Sequence, residues 1–190
     1  MTVFSGQARV LLVPGLGNSG PGHWQSLWEA RDGYLRVQQR DWEHPACSEW
    51  IGSLDRAVRA AAADVLIAAH SLGTLLVTQW LARTKIRIGG ALLVAVPDPG
   101  APGFPPQARG FAPIARVRLD SPSLVVASTD DPYGDLPFVQ QCAESWGSRL
   151  INIGAAGHIN AASGLGEWTE GHRLLESLRS TASPAHSLPE

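Results

Sequence analysis

The stretch Val65-Leu66-Ile67-Ala68-Ala69-His70-Ser71-Leu72-Gly73 decides how this chain is read. An apolar run ends there in a serine with small residues two before and two after it. A buried strand that turns sharply into a helix needs that arrangement, because small neighbours let the strained turn lift the serine hydroxyl out of the packed layer. Ala69 stands where the strict Gly-x-Ser-x-Gly pattern has its first glycine, and it is still small enough for the elbow. A serine at this position also suits a helix N-cap. Ser71 alone therefore leaves both nucleophile and cap open.

Short apolar runs alternate with helix-like segments on either side of this stretch. Strands are expected at Arg9–Val13, Leu35–Gln39, Val65–Ala69, Ala91–Val96, Leu124–Ala127 and Leu150–Ile153. Most are continuous apolar runs rather than alternating ones, as in strands covered on both faces. Helices are expected near His23–Ala30, Ser48–Ala62, Leu72–Arg83, Pro137–Trp146 and Glu167–Leu178. In the second of these, Trp50, Leu54, Ala57, Val58 and Ala61 recur at three- and four-residue spacing and form one apolar stripe. The alternation implies an α/β domain with a mainly parallel six-stranded sheet and helices on both faces. No internal repeat is visible. Residues 97–122 break the rhythm: they hold half of the 14 prolines and no periodicity. A segment of that kind is either cover over the ligand-binding end of the sheet or a surface crossover.

At 190 residues and 20.2 kDa the chain suits one domain over residues 1–180, with a disordered tail over 181–190. A net charge of −2, with scattered Lys and Arg, offers nucleic acid no electrostatic footprint. Cys47 and Cys142 read as free thiols of a reducing compartment. The N-terminal residues lack the pattern of a signal peptide, and no apolar stretch approaches the ~20 residues of a membrane span. The expectation is a cytoplasmic protein without membrane or nucleic-acid partners.

The first turn carries a competing motif. Gly15-Leu16-Gly17-Asn18-Ser19-Gly20 has the Gly-x-Gly-x-x-Gly form of a dinucleotide loop, and Asp41 lies where such a fold places its ribose-binding carboxylate. Pro21 and Gly22 count against it, because they separate the loop from the helix N-terminus that should hold a pyrophosphate. The same glycines suit a different task, bringing the backbone N–H of Leu16 toward a developing oxyanion. A tight turn with no further role is the plain alternative.

An elbow serine needs a base, and in this layout the acid and the histidine follow it on loops after later strands. Ser128-Thr129-Asp130-Asp131-Pro132-Tyr133 follows the fifth strand and Gly157-His158-Ile159-Asn160 the sixth. Paired aspartates before proline also make ordinary turns, and the chain has six histidines. His70, adjacent to the serine, should point away from its hydroxyl. The ordered set Ser71, Asp131 and His158 at strand ends makes a catalytic triad the leading reading. Asp131 is favoured over Asp130 because Pro132 holds its backbone extended, leaving Asp130 as a turn residue.

With these motifs in place, the chain resembles the small α/β-hydrolases of the YdeN-like and retinoblastoma-binding-protein-nine-like serine hydrolase family, from about Arg9 to Leu178. The likeness rests on Val13-Pro14-Gly15-Leu16-Gly17-Asn18-Ser19, His23-Trp24, the elbow, and the two loops just quoted. It implies a single-domain α/β-hydrolase fold without a large cap domain, and a triad of Ser71, Asp131 and His158. The family's acid immediately precedes the proline, which also points to Asp131. A retinoblastoma-type partner is not implied, since both Cys-x-Glu strings lack the leucine of Leu-x-Cys-x-Glu (Pro45 and Gln140 stand there).

The expected chemistry is hydrolysis of small carboxylic esters, thioesters or short amides through an acyl-enzyme, with the N–H groups of Leu16 and Leu72 as oxyanion donors. Activity should rise with pH as His158 loses its proton. No metal or other cofactor is required, as no residue cluster has ligand spacing. Trp24 and Trp28, one helical turn apart, are either pocket lining or core. A non-catalytic binding module on the same fold is the alternative from a different class, and a dinucleotide-binding protein the minor one.

Overall fold

The computed structural model describes residues 10–61 and 63–182. Its strands are β1 (Val10–Val13), β2 (Leu35–Arg36), β3 (Leu66–His70), β4 (Gly90–Val94), β5 (Ser123–Ala127) and β6 (Arg149–Asn152). Its helices are α1 (Trp24–Asp32), α2 (Cys47–Ala60), α3 (Leu72–Leu81), α4 (Leu136–Trp146) and α5 (Thr169–Ala182), with a short 3-10 turn at Ala161–Ser163. The strands form one sheet in the order β2-β1-β3-β4-β5-β6, every pair parallel. This is the six-stranded parallel sheet that the alternation of segments implies.

Successive strand residues point to opposite faces, and both faces are covered. Val10, Leu12, Leu66, Ala68, Leu92 and Val94 pack with Trp24 and Trp28 of α1 and Leu175 and Leu178 of α5. Leu11, Val13, Ile67, Ala69 and Leu93 pack with Trp50 and Leu54 of α2, Leu76 and Trp80 of α3, and Val139 and Trp146 of α4. A buried side chain of this size contributes about 1.5–3 kcal/mol. These two layers therefore hold the strand ends firmly enough to carry strained turns.

Strand order reverses direction between β1 and β3, which places a crevice at their C-terminal ends. Ser71 follows β3 and the glycine loop follows β1.

Some boundaries differ from those expected. β2 has only two residues: one further bond, from Val37 N to Leu12 O, ties the chain to β1, and this edge strand then peels away. β4 stops at Val94 because Ala95 takes a left-handed backbone (φ 56°), incompatible with a continuing strand. α1 runs to Asp32 and is capped by His23, whose Nδ1 accepts from Gln25 N. α5 continues through Thr181 and Ala182, the first two residues of the expected tail. The rest of that tail and Arg9 lie outside the described residues.

Residues 97–122 contain no helix or strand. Phe111 of this segment is buried in the core, while Pro97, Phe104 and Pro105 stand over the strand ends. The segment is both crossover and cover.

Candidate active site

Ser71 sits at φ 53° and ψ −127°, a conformation that costs a non-glycine residue of order 1–3 kcal/mol. The turn is held from both ends. Ser71 N donates to Val94 O at 3.0 Å, and Thr74 donates through N and Oγ1 to Ser71 O at 2.8 and 2.7 Å. Two glycines let the β1 loop close on it. A Cβ on Gly73 would lie 2.3 Å from Val13 O, and one on Gly15 2.9 Å from Ser71 Cβ. The position before the elbow has no such constraint, and Ala69 fills it as a buried core residue.

The loops after β5 and β6 meet the serine. His158 Nε2 is 2.8 Å from Ser71 Oγ, and His158 Nδ1 is 2.9 Å from each oxygen of Asp131. The His158 and Asp131 side chains are 9% and 3% exposed, so this pair is shielded from water. Tyr133 N also donates to Asp131 Oδ1 at 3.0 Å and fixes the carboxylate plane. The three side chains thus form one continuous hydrogen-bonded chain.

Asp130 turns the other way. Its Oδ1 accepts from Ser128 Oγ and Gly157 N, both at 2.7 Å, and these two donors hold its carboxyl below the usual carboxylate range. Ser128 Oγ in turn accepts from Ala156 N at 2.9 Å. Asp130 therefore ties the acid loop to the histidine loop.

His70 does not bond to Ser71, but it lies closer to the centre than a residue pointing away along the strand. Its Nε2 donates to the carbonyl of His158 at 2.9 Å, and its ring stands between those of His23 and His158 at centroid distances of 4.6 and 4.9 Å. Burial, followed by the two neighbouring imidazoles, holds His70 well below the usual histidine range. His23 is lowered to about 4, first by burial, then by Arg36 and His158. The His158 ring thus packs against imidazoles that stay neutral. A lone histidine in a sequence carries no sign of such ring packing. The only hint is that His23 and His70 both fall inside the quoted motifs.

Ser71, His70 and His158 open into a cavity of about 260 Å³, bounded also by Leu16, Phe104, Pro105 and Tyr133. Leu16 and Leu72 both line it, and neither backbone N–H has a partner among the described residues. Trp24 and Trp28 do not line it. They are 1% and 0% exposed and pack with Trp168, and Trp24 Nε1 donates to Ile159 O at 2.9 Å. They are core, and they buttress the histidine loop from behind. Trp42 packs on Trp50, away from the cavity.

The glycine loop does not open a helix. Pro21, Gly22 and His23 intervene before α1, and Gly17 N donates to Trp42 O. Asp41 Oδ1 accepts from Glu43 N and His44 N, closing a local turn instead of awaiting a ribose. Both features of the dinucleotide reading are thereby engaged elsewhere. No group of three or more His, Cys, Asp or Glu side chains among the described residues is arranged to hold a metal. No helix among them is long and apolar enough to cross a membrane.

Comparison with known proteins places this geometry. The serine hydrolase family model matches residues 10–177. A protein assigned as a YdeN-like hydrolase, from Pectobacterium atrosepticum, is 32% identical over 94% of each chain, with a TM-score of 0.82. The ydeN gene product of Bacillus subtilis shares the fold at 20% identity and a TM-score of 0.77, over 92% of this chain and all of that one. The type II thioesterase BorB shares the fold at 15% identity and a TM-score of 0.64, over 92% of both chains. No curated protein matches the sequence. With the family model spanning nearly the whole domain and a relative matching it end to end, the chain belongs to the serine hydrolase family and is an α/β-hydrolase enzyme.

Proposed function

We propose that the enzyme hydrolyses small carboxylic esters, with thioesters and short amides as related substrates, through an acyl-enzyme on Ser71. The observation that carries this reading is the unbroken chain from Ser71 Oγ through the His158 ring to the Asp131 carboxylate, 2.8 and 2.9 Å long at its two links, opening on a cavity. Ser71 Oγ adds to the substrate carbonyl while its proton passes to His158 Nε2. The tetrahedral species then collapses, the bond to the leaving oxygen breaks, and His158 returns the proton to that oxygen. Water repeats the sequence on the acyl-enzyme and releases the acid. Asp131 keeps the Nδ1–H tautomer and stabilises the imidazolium when it forms. The N–H groups of Leu16 and Leu72 receive the oxyanion, each worth roughly 2.7–4 kcal/mol in the transition state.

No Asp, Glu, Lys or Arg side chain lines the cavity, which suits an uncharged acyl group. The volume suits a small one. The proposal extends to a cytoplasmic setting, where Cys47 and Cys142, free and buried with thiols raised to about 11, stay reduced.

Labelling with a fluorophosphonate probe, followed by mapping of the modified peptide, tests the reading. The expected result is modification at Ser71, its loss in Ser71→Ala, and turnover of short p-nitrophenyl esters that disappears with it. A folded protein that neither reacts at Ser71 nor turns over these esters would overturn it.

A further inference from the structure

Two asparagines line the same cavity, and the protein dictates which end of each amide is left free. Asn18 Oδ1 accepts from Arg36 Nη1 at 2.6 Å and from Ser19 N at 2.8 Å. A guanidinium and a backbone N–H can only donate, so the atom facing them must be the oxygen. Arg36 is itself held: its side chain is 7% exposed, and it pairs with Glu29 at 2.6 Å and donates to Ser19 O at 2.8 Å. Asn160 repeats the arrangement on the opposite loop, with Oδ1 accepting from Ala162 N at 2.9 Å. Neither Nδ2 has a partner among the described residues, and neither is buried without one. Each of these cavity-lining residues therefore keeps an accessible NH2 group free of protein partners, its orientation fixed before any ligand arrives.

A pocket that needed only to admit a hydrocarbon would gain nothing from two pre-oriented donors. Both would have to give up water without a replacement, at a cost that disfavours plain alkyl esters. Their use is to meet acceptor oxygens. The cavity has no Lys or Arg to neutralise an anion, while Phe104, Pro105 and Leu16 supply apolar wall. We infer that the substrate is an uncharged ester bearing a second acceptor oxygen, a ketone or a second carbonyl, which Asn18 Nδ2 binds, with Asn160 Nδ2 as the second donor. This inference rests on Ser71 being the reacting group. Asn18 then acts as a specificity residue, positioned by the Glu29–Arg36 pair.

Binding to the Ser71→Ala protein tests this without relying on turnover. Methyl pentanoate and methyl 4-oxopentanoate differ by one CH2 replaced with a carbonyl, and their Kd values can be compared by NMR titration. The 4-oxo ester should bind at least about fivefold tighter, the gain of one well-formed hydrogen bond. Asn18→Asp on the same background keeps the acceptor for Arg36 and Ser19 while replacing the free NH2 by oxygen, so it should abolish that ratio. Asn160→Asp should reduce it. Equal affinities, absence of saturable binding by the oxo ester, or a ratio unchanged in both aspartate variants would overturn the inference. So would monomethyl succinate, of matching length but anionic, binding tighter than the oxo ester. Probe labelling at Ser71 is independent of all these outcomes, so failure here is separable from failure of the hydrolase mechanism.

Discussion

Mild acid should destabilise this enzyme well before its carboxylates titrate, and His23 gives the magnitude. The residue is 5% exposed, Nδ1 is committed as an acceptor from Gln25 N at 3.1 Å, and Nε2 is buried without a partner. Burial first, then Arg36 and His158, lowers it from the usual 6.5 to about 4. The unfolded chain thus binds a proton at this site before the native one does. Stability is fully present above pH 6.5, falls as pH drops from 6.5 toward 4, and levels off below that for this group. Linkage over that interval amounts to about 2 kcal/mol at pH 5 and about 3 kcal/mol at pH 4 and below. His70, between His23 and His158, is lowered by burial in the same direction and adds to the loss. A loss of that size is a large share of the 5–15 kcal/mol of a typical domain. Urea denaturation followed by tryptophan fluorescence at pH 7.5 and pH 5.0 measures it. His23→Asn, which retains a capping acceptor but cannot titrate, should recover about 2 kcal/mol of the acid loss. Equal stability at the two pH values, or a His23→Asn protein as acid-sensitive as the wild type, would refute the reasoning.

Replacing Asp131 by Asn should lower kcat by about 10⁴, as when a triad carboxylate no longer fixes the tautomer. Asp130→Ala, which only loosens the link between Ser128 and Gly157, should cost on the order of tenfold, and steady-state kinetics on a p-nitrophenyl ester separates the two. Gly73→Ala puts a Cβ 2.3 Å from Val13 O and 2.7 Å from Pro14 O. It should destabilise by about 1–3 kcal/mol in chemical denaturation and displace the Gly15–Leu16 loop, lowering kcat in the remaining folded protein. Trp24→Phe removes the donor to Ile159 O and should cost about 1–3 kcal/mol. Its chain-length preference among esters should match the wild type, because Trp24 lies behind the histidine loop and outside the cavity.

The parallel sheet was legible because strands buried on both faces are apolar nearly throughout, and β1, β3, β4 and β5 depart from this only at a strand end, as at His70 and Ser123. Ser71, Asp131 and His158 stood out because a sheet with one strand direction delivers every strand–helix loop to one edge, whatever the sequence distance. What stayed open in the sequence, or differed in the structure, depends on contacts. Trp24 and Trp28 at one-turn spacing look the same whether a pocket or a core lies against them. The stop of β4 at Val94 comes from the left-handed turn at Ala95, for which an alanine gives no local signal.

Features legible in the chain alone are therefore periodic and local: the strand and helix runs, the small residues around the elbow, and the order of Ser71, Asp131 and His158. The tertiary structure decided everything that turns on which atom faces which. It sends Asp131 to His158 and Asp130 to Gly157, though the two are neighbours in the chain. It packs the rings of His23, His70 and His158, from three separate segments of the chain, side by side at centroid distances of 4.6 and 4.9 Å. It also orients Asn18 through an arginine eighteen residues away. The physical reason is that burial and hydrogen-bond direction are properties of an environment assembled from distant segments, while hydrophobic periodicity and chain stiffness are already present in each segment alone.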